Sequence, residues 1–190
     1  MTSPLDELAV LDAVATADLV RSGQVTALEV TEAAISRIEM LNPTLNAVIT
    51  PMYEQALAAA SRVASDAPLA GVPFLAKDLI TEIEGVPFSE GSRFIHGTVS
   101  PYTSELAHRW RRAGLVILGK SNTPEFGMMP TCEPVLHGPA RNPWDLERST
   151  SGSSGGSAAA VASGMGAGGA RQRPRRVAAL PRLGLRPLRS

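Results

Sequence analysis

Residues 151–157, "SGSSGGS", lead without a break into the helix former "AAAVA" at 158–162. No other feature of this 190-residue chain constrains the fold as tightly. On composition, a glycine-serine run is a flexible linker. A linker does not need a strong helix former fixed to its end, and alanine leads the helix scale. The other reading is a loop anchored at a helix start. Glycines let successive backbone amides turn inward as an anion-binding nest, and the helix adds its positive end. The hydroxyls of Ser151, Ser153, Ser154 and Ser157 would then stand in a prepared electrostatic position. Composition alone leaves both readings open.

The rest of the chain alternates helix and strand patterns. Leu5, Leu8, Leu11, Val14, Ala15 and Leu19 recur at helical spacing over 5–22, and Gly23 reads as the stop. Thr26 with Glu29 three residues on is a capping-box signature. Leu28, Ala34, Ile35, Ile38 and Leu41 line one face of a second helix, closed by Asn42-Pro43. "NAVIT" is a short strand, and an alanine-rich helix is expected at about 52–65. "GVPFLAKDLI" reads as a buried strand running into a loop. "TSELAHRWRRA" (103–113) reads as a helix ending at Gly114, and "LVILG" (115–119) as a buried strand. The proline- and glycine-rich stretch from 122 to 145 reads as ordered loop, with a closing helix at about 156–164. Helices alternating with apolar strands predict an α/β layer architecture.

Charge is divided unevenly. Residues 1–170 carry 18 acidic and 11 basic side chains, whereas 171–190 carry seven arginines and no acid. A purely basic end can be a nucleic-acid arm, but this one has no aromatic residue for base stacking. Lysine is scarce, Lys77 and Lys120 against 16 arginines, as in proteins encoded by GC-rich DNA. The single cysteine, Cys132, excludes an internal disulfide framework, fits a reducing, cytoplasmic setting and reads as a plain buried thiol. No apolar run approaches the ~18 residues needed to span a bilayer, and the N-terminus has no leader pattern. His96, His108 and His137 show no ligand spacing with one another or with Cys132, so no metal and no cofactor is expected.

Lys77 closes an apolar strand. A desolvated lysine has a lowered pKa and can serve as a general base; a lysine reaching solvent at a strand end is the plainer reading. Lys120 follows the other buried strand and could also be a buried base, but a positional or solvent role is preferred. Asn142-Pro143-Trp144 suggests a turn pinned by a buried indole, and Trp110 reads as a packing residue. Asp78 and Glu125 are expected to make structural hydrogen bonds.

"GVPFLAKDL", "AGLVILGKSNTPEFG" and "RNPWDLERSTSGSSGGSAAAVASGMG", in that order and spacing, resemble the N-terminal part of the amidase signature family. The resemblance covers about residues 5–169. It implies one mixed, twisted sheet covered by helices, and hydrolysis of linear or cyclic carboxamides through a Ser–Ser–Lys triad. Carried onto this chain, Lys77 matches the triad lysine and Ser153 the middle serine, which the family holds on a cis peptide. Ser154, Gly155 and Gly156 complete the active-site loop. The implied partner is a small-molecule amide, with no cofactor, metal or membrane, nucleic acid not favoured and the oligomeric state open. "TCEPVLHGPARNPWD" resembles the branch with 6-aminohexanoate cyclic dimer hydrolases more than the tRNA-dependent amidotransferase component.

The third triad member is missing. The family's nucleophilic serine lies in a G-x-D-x-G-G-S-[IVL]-R motif, and its slot here holds Val177, between Arg176 and Ala178. Reverse translation of 170–190 with GC-rich codons, shifted forward one base, can read HGNDPGGSLRSPASACGLFGL. That string carries the missing motif with its serine at slot 177. The expectation is an amidase signature domain over 1–169, truncated before its nucleophile, and a basic tail over 170–190 that is out of frame from about residue 168. Such a chain is expected to be inactive, and insoluble or partly unfolded. The alternatives are a non-enzymatic fragment whose tail binds nucleic acid, and a protein like the A component of the amidotransferase.

Overall fold

The computed structural model describes residues 8, 9 and 11–166. The basic tail, Val177 and the proposed frame break near 168 lie outside the described residues.

Asp12 opens the first helix, α1 (Ala13–Arg21), by accepting from the Ala15 amide at 2.8 Å. Thr26 caps the longest, α2 (Ala27–Leu45), in the capping box that the sequence predicts. The Thr26 hydroxyl accepts from the Glu29 amide at 3.1 Å, and the Glu29 carboxylate accepts from the Thr26 amide at 2.8 Å. Ala34, Ile35 and Ile38 are buried along it, while Leu28, read onto the same face, is 37% exposed. The helix does not close at Asn42-Pro43. It runs through Pro43 to Leu45 and ends at Asn46 in the left-handed region, φ 49°. A proline so near the end removes few helical bonds, and Asn42 compensates. Its Oδ1 accepts from the Ala47 and Val48 amides, both at 2.8 Å, and its Nδ2 donates to the Val48 carbonyl at 2.8 Å.

Strand β1 (Val48–Pro51) follows, then α3 (Tyr53–Ala60). The expected helix to residue 65 stops short at Ala60. The next turns tighten through Arg62 N to Ala59 O at 3.0 Å and Val63 N to Ala60 O at 3.4 Å, and Val63 packs on the core. Strand β2 (Pro73–Lys77), helix α4 (Glu105–Arg112) and strand β3 (Val116–Ser121) come next. The sheet order is β1-β3-β2, with β1 antiparallel and β2 parallel to β3. Every residue of β3 is buried. Alternation along it feeds two cores. Val116 and Leu118 face Ile38, Ala56, Ala159 and Met165, while Ile117 joins Ala76, Ile83 and Ala107. Trp110 packs on Phe74 with ring centroids 4.7 Å apart, the packing role its sequence context suggests.

Residues 122–145 are not all loop. A two-stranded hairpin, β4 (Arg141–Asn142) and β5 (Asp145–Ser149), turns at Pro143-Trp144. Trp144 is 81% exposed, so no buried indole pins this turn. Asn142 holds it instead, its Oδ1 accepting from the Trp144 amide at 3.0 Å as asparagine does in turns. Helix α5 (Gly155–Ala162) closes the described fold. The mixed sheet packed with helices agrees with the α/β layering that the sequence pattern predicts.

Candidate active site

The end of β2 and the start of α5 meet at one point. Lys77 is the last residue of β2, and its Nζ donates to Ser153 Oγ at 2.7 Å and to Ser154 Oγ at 3.2 Å. The Gly152–Ser153 peptide is cis. Two threads from β3 and its extension fasten the loop. Ser121 and Ser157 share a hydroxyl–hydroxyl bond of 2.6 Å, and Thr123 Oγ1 donates to the Ser153 carbonyl at 3.3 Å. Ser121, Asn122 and Thr123 are fully buried. Asn122 is itself tied down, its amide to the Ala47 carbonyl at 2.8 Å and its Nδ2 to the Asn46 and Gly138 carbonyls at 3.1 Å.

The glycines are there for contact. A Cβ on Gly152 would stand 2.8 Å from the carbonyl oxygens of Met129 and Thr131. One on Gly156 would stand 2.5 Å from the backbone N and O of Asn122. Such distances exclude any side chain unless backbone moves, so the run is a packed loop and the linker reading is set aside. Cys132, with no exposed surface, lies beneath the loop; a Cβ on Gly155 would come within 2.5 Å of its Cβ. The Cys132 carbonyl accepts from the Ala140 amide at 2.9 Å.

Burial lowers the Lys77 pKa, and a charge on Cys132 would oppose that. Burial raises the Cys132 pKa, so the thiol stays neutral at neutral pH and that opposition is absent. Lys77 is thereby biased toward the neutral amine that can accept a proton.

Directly behind Lys77 the chain buries a charged pair. Lys120 and Asp78 are each 1% exposed and meet at 2.7 Å, with Lys120 Nζ also 5.7 Å from the Phe88 ring centroid. Lys120 is therefore positional, and the solvent alternative is excluded. Asp78 also accepts from the Ser89 amide at 3.0 Å and the Ser89 hydroxyl at 2.8 Å. The Ser89 hydroxyl in turn meets His137 Nε2 at 2.8 Å. Glu125 accepts from Ser92 Oγ at 2.6 Å. Both acids make the structural bonds assigned to them. No group of three or more His, Cys, Asp or Glu suited to a metal occurs among the described residues. No described helix is long and apolar enough to cross a membrane.

Sequence reading found Lys77, Ser153 and Ser154, which the fold brings together from positions more than seventy residues apart. It missed Ser121, Thr123 and Cys132 as contacts of the loop. Ser121 and Thr123 flank an apolar strand as ordinary polar residues, and Cys132 sits in a stretch with no periodicity. Only the juxtaposition of β3 with α5 gives them a task.

The chain is similar to known proteins in sequence and in fold. A family model described as Amidase matches residues 29–170. The A component of glutamyl-tRNA(Gln) amidotransferase from Alkalilimnicola ehrlichii is 48% identical over 148 residues, 75% of this chain and 30% of that protein. The 6-aminohexanoate-cyclic-dimer hydrolase of Paenarthrobacter ureafaciens is 45% identical over 156 residues, 81% of this chain and 31% of that one. A solved structure of 6-aminohexanoate cyclic dimer hydrolase complexed with substrate superposes with a TM-score of 0.78 at 42% identity, covering 83% of this chain and 33% of the other. The chain thus spans just under a third of the length of the two relatives it matches.

Proposed function

Given that this chain belongs to the amidase signature family, we propose that its site is built for acyl transfer from a carboxamide, with Lys77 as base and Ser153 as relay. The observation that carries the reading is the 2.7 Å contact from Lys77 Nζ to Ser153 Oγ, at a lysine whose pKa burial lowers. Neutral Lys77 takes a proton from Ser153. Ser153 takes one from a nucleophilic serine as that serine attacks the amide carbon. The same relay then delivers a proton to the departing amine, and water releases the acyl group. A serine hydroxyl needs such a base because it is a weak nucleophile when protonated. The substrate class is small linear or cyclic carboxamides, supported by the similarity to 6-aminohexanoate-cyclic-dimer hydrolases, and the single cysteine supports a reducing, cytoplasmic setting.

The sequence as it stands holds Val177 at the nucleophile's slot. We read residues from about 168 onward as out of frame, and the 190-residue polypeptide as inactive. Sequencing the gene across codon 168 tests this first. An in-frame reading with no amidase remainder in another frame overturns it. With the frame restored, the protein is expected to release amine from a panel of linear and cyclic carboxamides. Lys77→Ala and Ser153→Ala should each lower kcat by roughly 100-fold or more, the scale of acid–base catalysis. Turnover unaffected by either change removes these residues from the mechanism.

The 48% identity to an amidotransferase component favours a second reading, one member of an assembly that transfers an amide nitrogen. Copurification of the frame-restored protein with a partner chain, together with glutamine-dependent transfer in place of simple amide turnover, would select it.

A further inference from the structure

We infer that Glu90 is a positioning residue. It staples the turn that follows Lys77 to the segment that packs on the Ser153 loop, and so helps to hold those two side chains together. The inference rests on the proposed roles of Lys77 and Ser153, and it concerns what keeps them at 2.7 Å.

Among the described residues, five that are not glycine have positive φ: Asn46, Ile80, Glu90, Phe126 and Ser151. Asparagine tolerates the left-handed region, and Asn46 uses it to end α2. For the other four the Cβ makes this conformation costly, most of all for the β-branched Ile80. Burial does not offset the cost there, because Ile80 is 80% exposed. Such residues persist where surrounding contacts impose them, and they gather at functional sites. Ser151 lies two residues before Ser153, and Ile80 three after Lys77. Ile80, Glu90 and Phe126 are joined to one another by hydrogen bonds.

Glu90 is the centre of that group. Its Oε1 accepts from the Ile80 amide at 3.0 Å, and its backbone carbonyl accepts from the Phe126 amide at 2.8 Å. The first bond holds the turn that leaves β2 directly after Lys77. The second holds the segment that leaves β3 through Thr123, whose hydroxyl donates to the Ser153 carbonyl at 3.3 Å. Close packing follows the same path. A Cβ on Gly91 would stand 2.5 Å from the Thr123 carbonyl oxygen, and one on Gly127 would stand 2.5 Å from Leu79 Cδ2. Farther along, this segment meets the serine loop again where Gly152 packs on the Met129 and Thr131 carbonyls. The Asp78–Ser89 bonds anchor the root of the turn, and Glu90 holds its tip. Glycine would adopt a φ of 48° at less cost, but it would leave the Ile80 amide without this acceptor.

Glu90→Gly and Glu90→Gln in the frame-restored enzyme test this. Both should fold, because the Asp78–Ser89 and Ser92–Glu125 bonds remain and glycine takes the left-handed region freely. Glutamine keeps an Oε1 acceptor, and glycine has none. In Glu90→Gly the Ile80 amide should exchange roughly 10-fold faster or more, as for a locally opened turn, whereas Glu90→Gln should keep wild-type protection. Unchanged protection in Glu90→Gly would remove the staple. In the same variant kcat should fall roughly 10-fold or more with KM within about twofold, the pattern of misplaced reacting groups. The folded fraction at the assay temperature, read by circular dichroism, should stay at the wild-type value, and Glu90→Gln should restore kcat. A wild-type kcat in Glu90→Gly overturns the inference, as does a loss shared by Glu90→Gln or one that tracks unfolding. The catalytic reading fails separately, through unchanged turnover of Lys77→Ala or Ser153→Ala, and that failure would leave the exchange result at Ile80 in place.

Discussion

Lys77 shows how one residue carries opposing demands. It ends a strand, where its ammonium loses water, and it faces two hydroxyls that supply no full negative charge. Burial therefore wins, and the charged form is disfavoured relative to an ordinary lysine. The sign for stability follows. Below the folded pKa both states are protonated and the folded state bears the full cost of burying the charge. As pH rises through the folded pKa toward about 10.4, only the unfolded state still holds the proton, so the contribution of Lys77 becomes less unfavourable. Because Lys77 and Lys120 are the chain's only lysines, amine labelling read by mass spectrometry isolates the effect. Lys77 should label with a midpoint below about 10.4, and a midpoint at or above the ordinary value would contradict a base made by burial. Lys120 has a different setting, a fully buried lysine paired with the Asp78 carboxylate 2.7 Å away. Lys120→Met leaves Asp78 buried without its cation and should cost about 3–5 kcal/mol in chemical denaturation. A smaller loss for Lys120→Met/Asp78→Asn than for Lys120→Met alone would show that the stranded charge is the cause.

Between neighbouring elements, the decisive contacts are made by backbone and by small residues. Helix α5 can approach β3 because Gly156 presents no Cβ to Asn122. Gly156→Ala should destabilise by about 1–3 kcal/mol through overpacking. It should also separate Ser153 from Lys77, so in the frame-restored enzyme activity is expected to fall with stability. The passage from α2 to β1 is held by the Asn42 side chain rather than broken by Pro43. Asn42→Ala strands two amides and should cost about 1–3 kcal/mol, measured by urea unfolding. The β4–β5 turn gives the contrasting case. Trp144→Ala removes an exposed indole and should change stability by no more than about 0.5 kcal/mol. A large loss there would restore the buried-indole reading that the structure overturns.

Taken whole, the described residues form a three-stranded sheet in which β3 is enclosed and β1 and β2 stand at the edges. Ile80, Phe94, Met128, Val135 and Trp144 are at least three-quarters exposed. Unpaired edges and exposed apolar side chains favour association. The 190-residue polypeptide is therefore expected to self-associate at micromolar concentration, as light scattering would register. A monodisperse monomer would count against that expectation. It is also expected to show no amide turnover, and measurable release of amine would contradict the missing-nucleophile reading.

Sequence alone determined what depends on local spacing. The capping box at Thr26, the alternation of helix with apolar strand and the motifs around Lys77 and Ser153 are properties of residues close along the chain, and the physics that reads them acts over one turn or one strand. It could not determine whether the glycine-serine run was loose or packed, because its polar composition is the same in both cases. It could not say that Pro43 would be carried inside a helix, that Trp144 would face solvent, or that Lys120 would be buried against Asp78. Each of these turns on what comes to lie opposite the residue. Only the tertiary structure sets the end of β2 against the start of α5, with Asn122 beneath Gly156 and Cys132 beneath Gly155. That close approach turns a run of glycines and serines into a site.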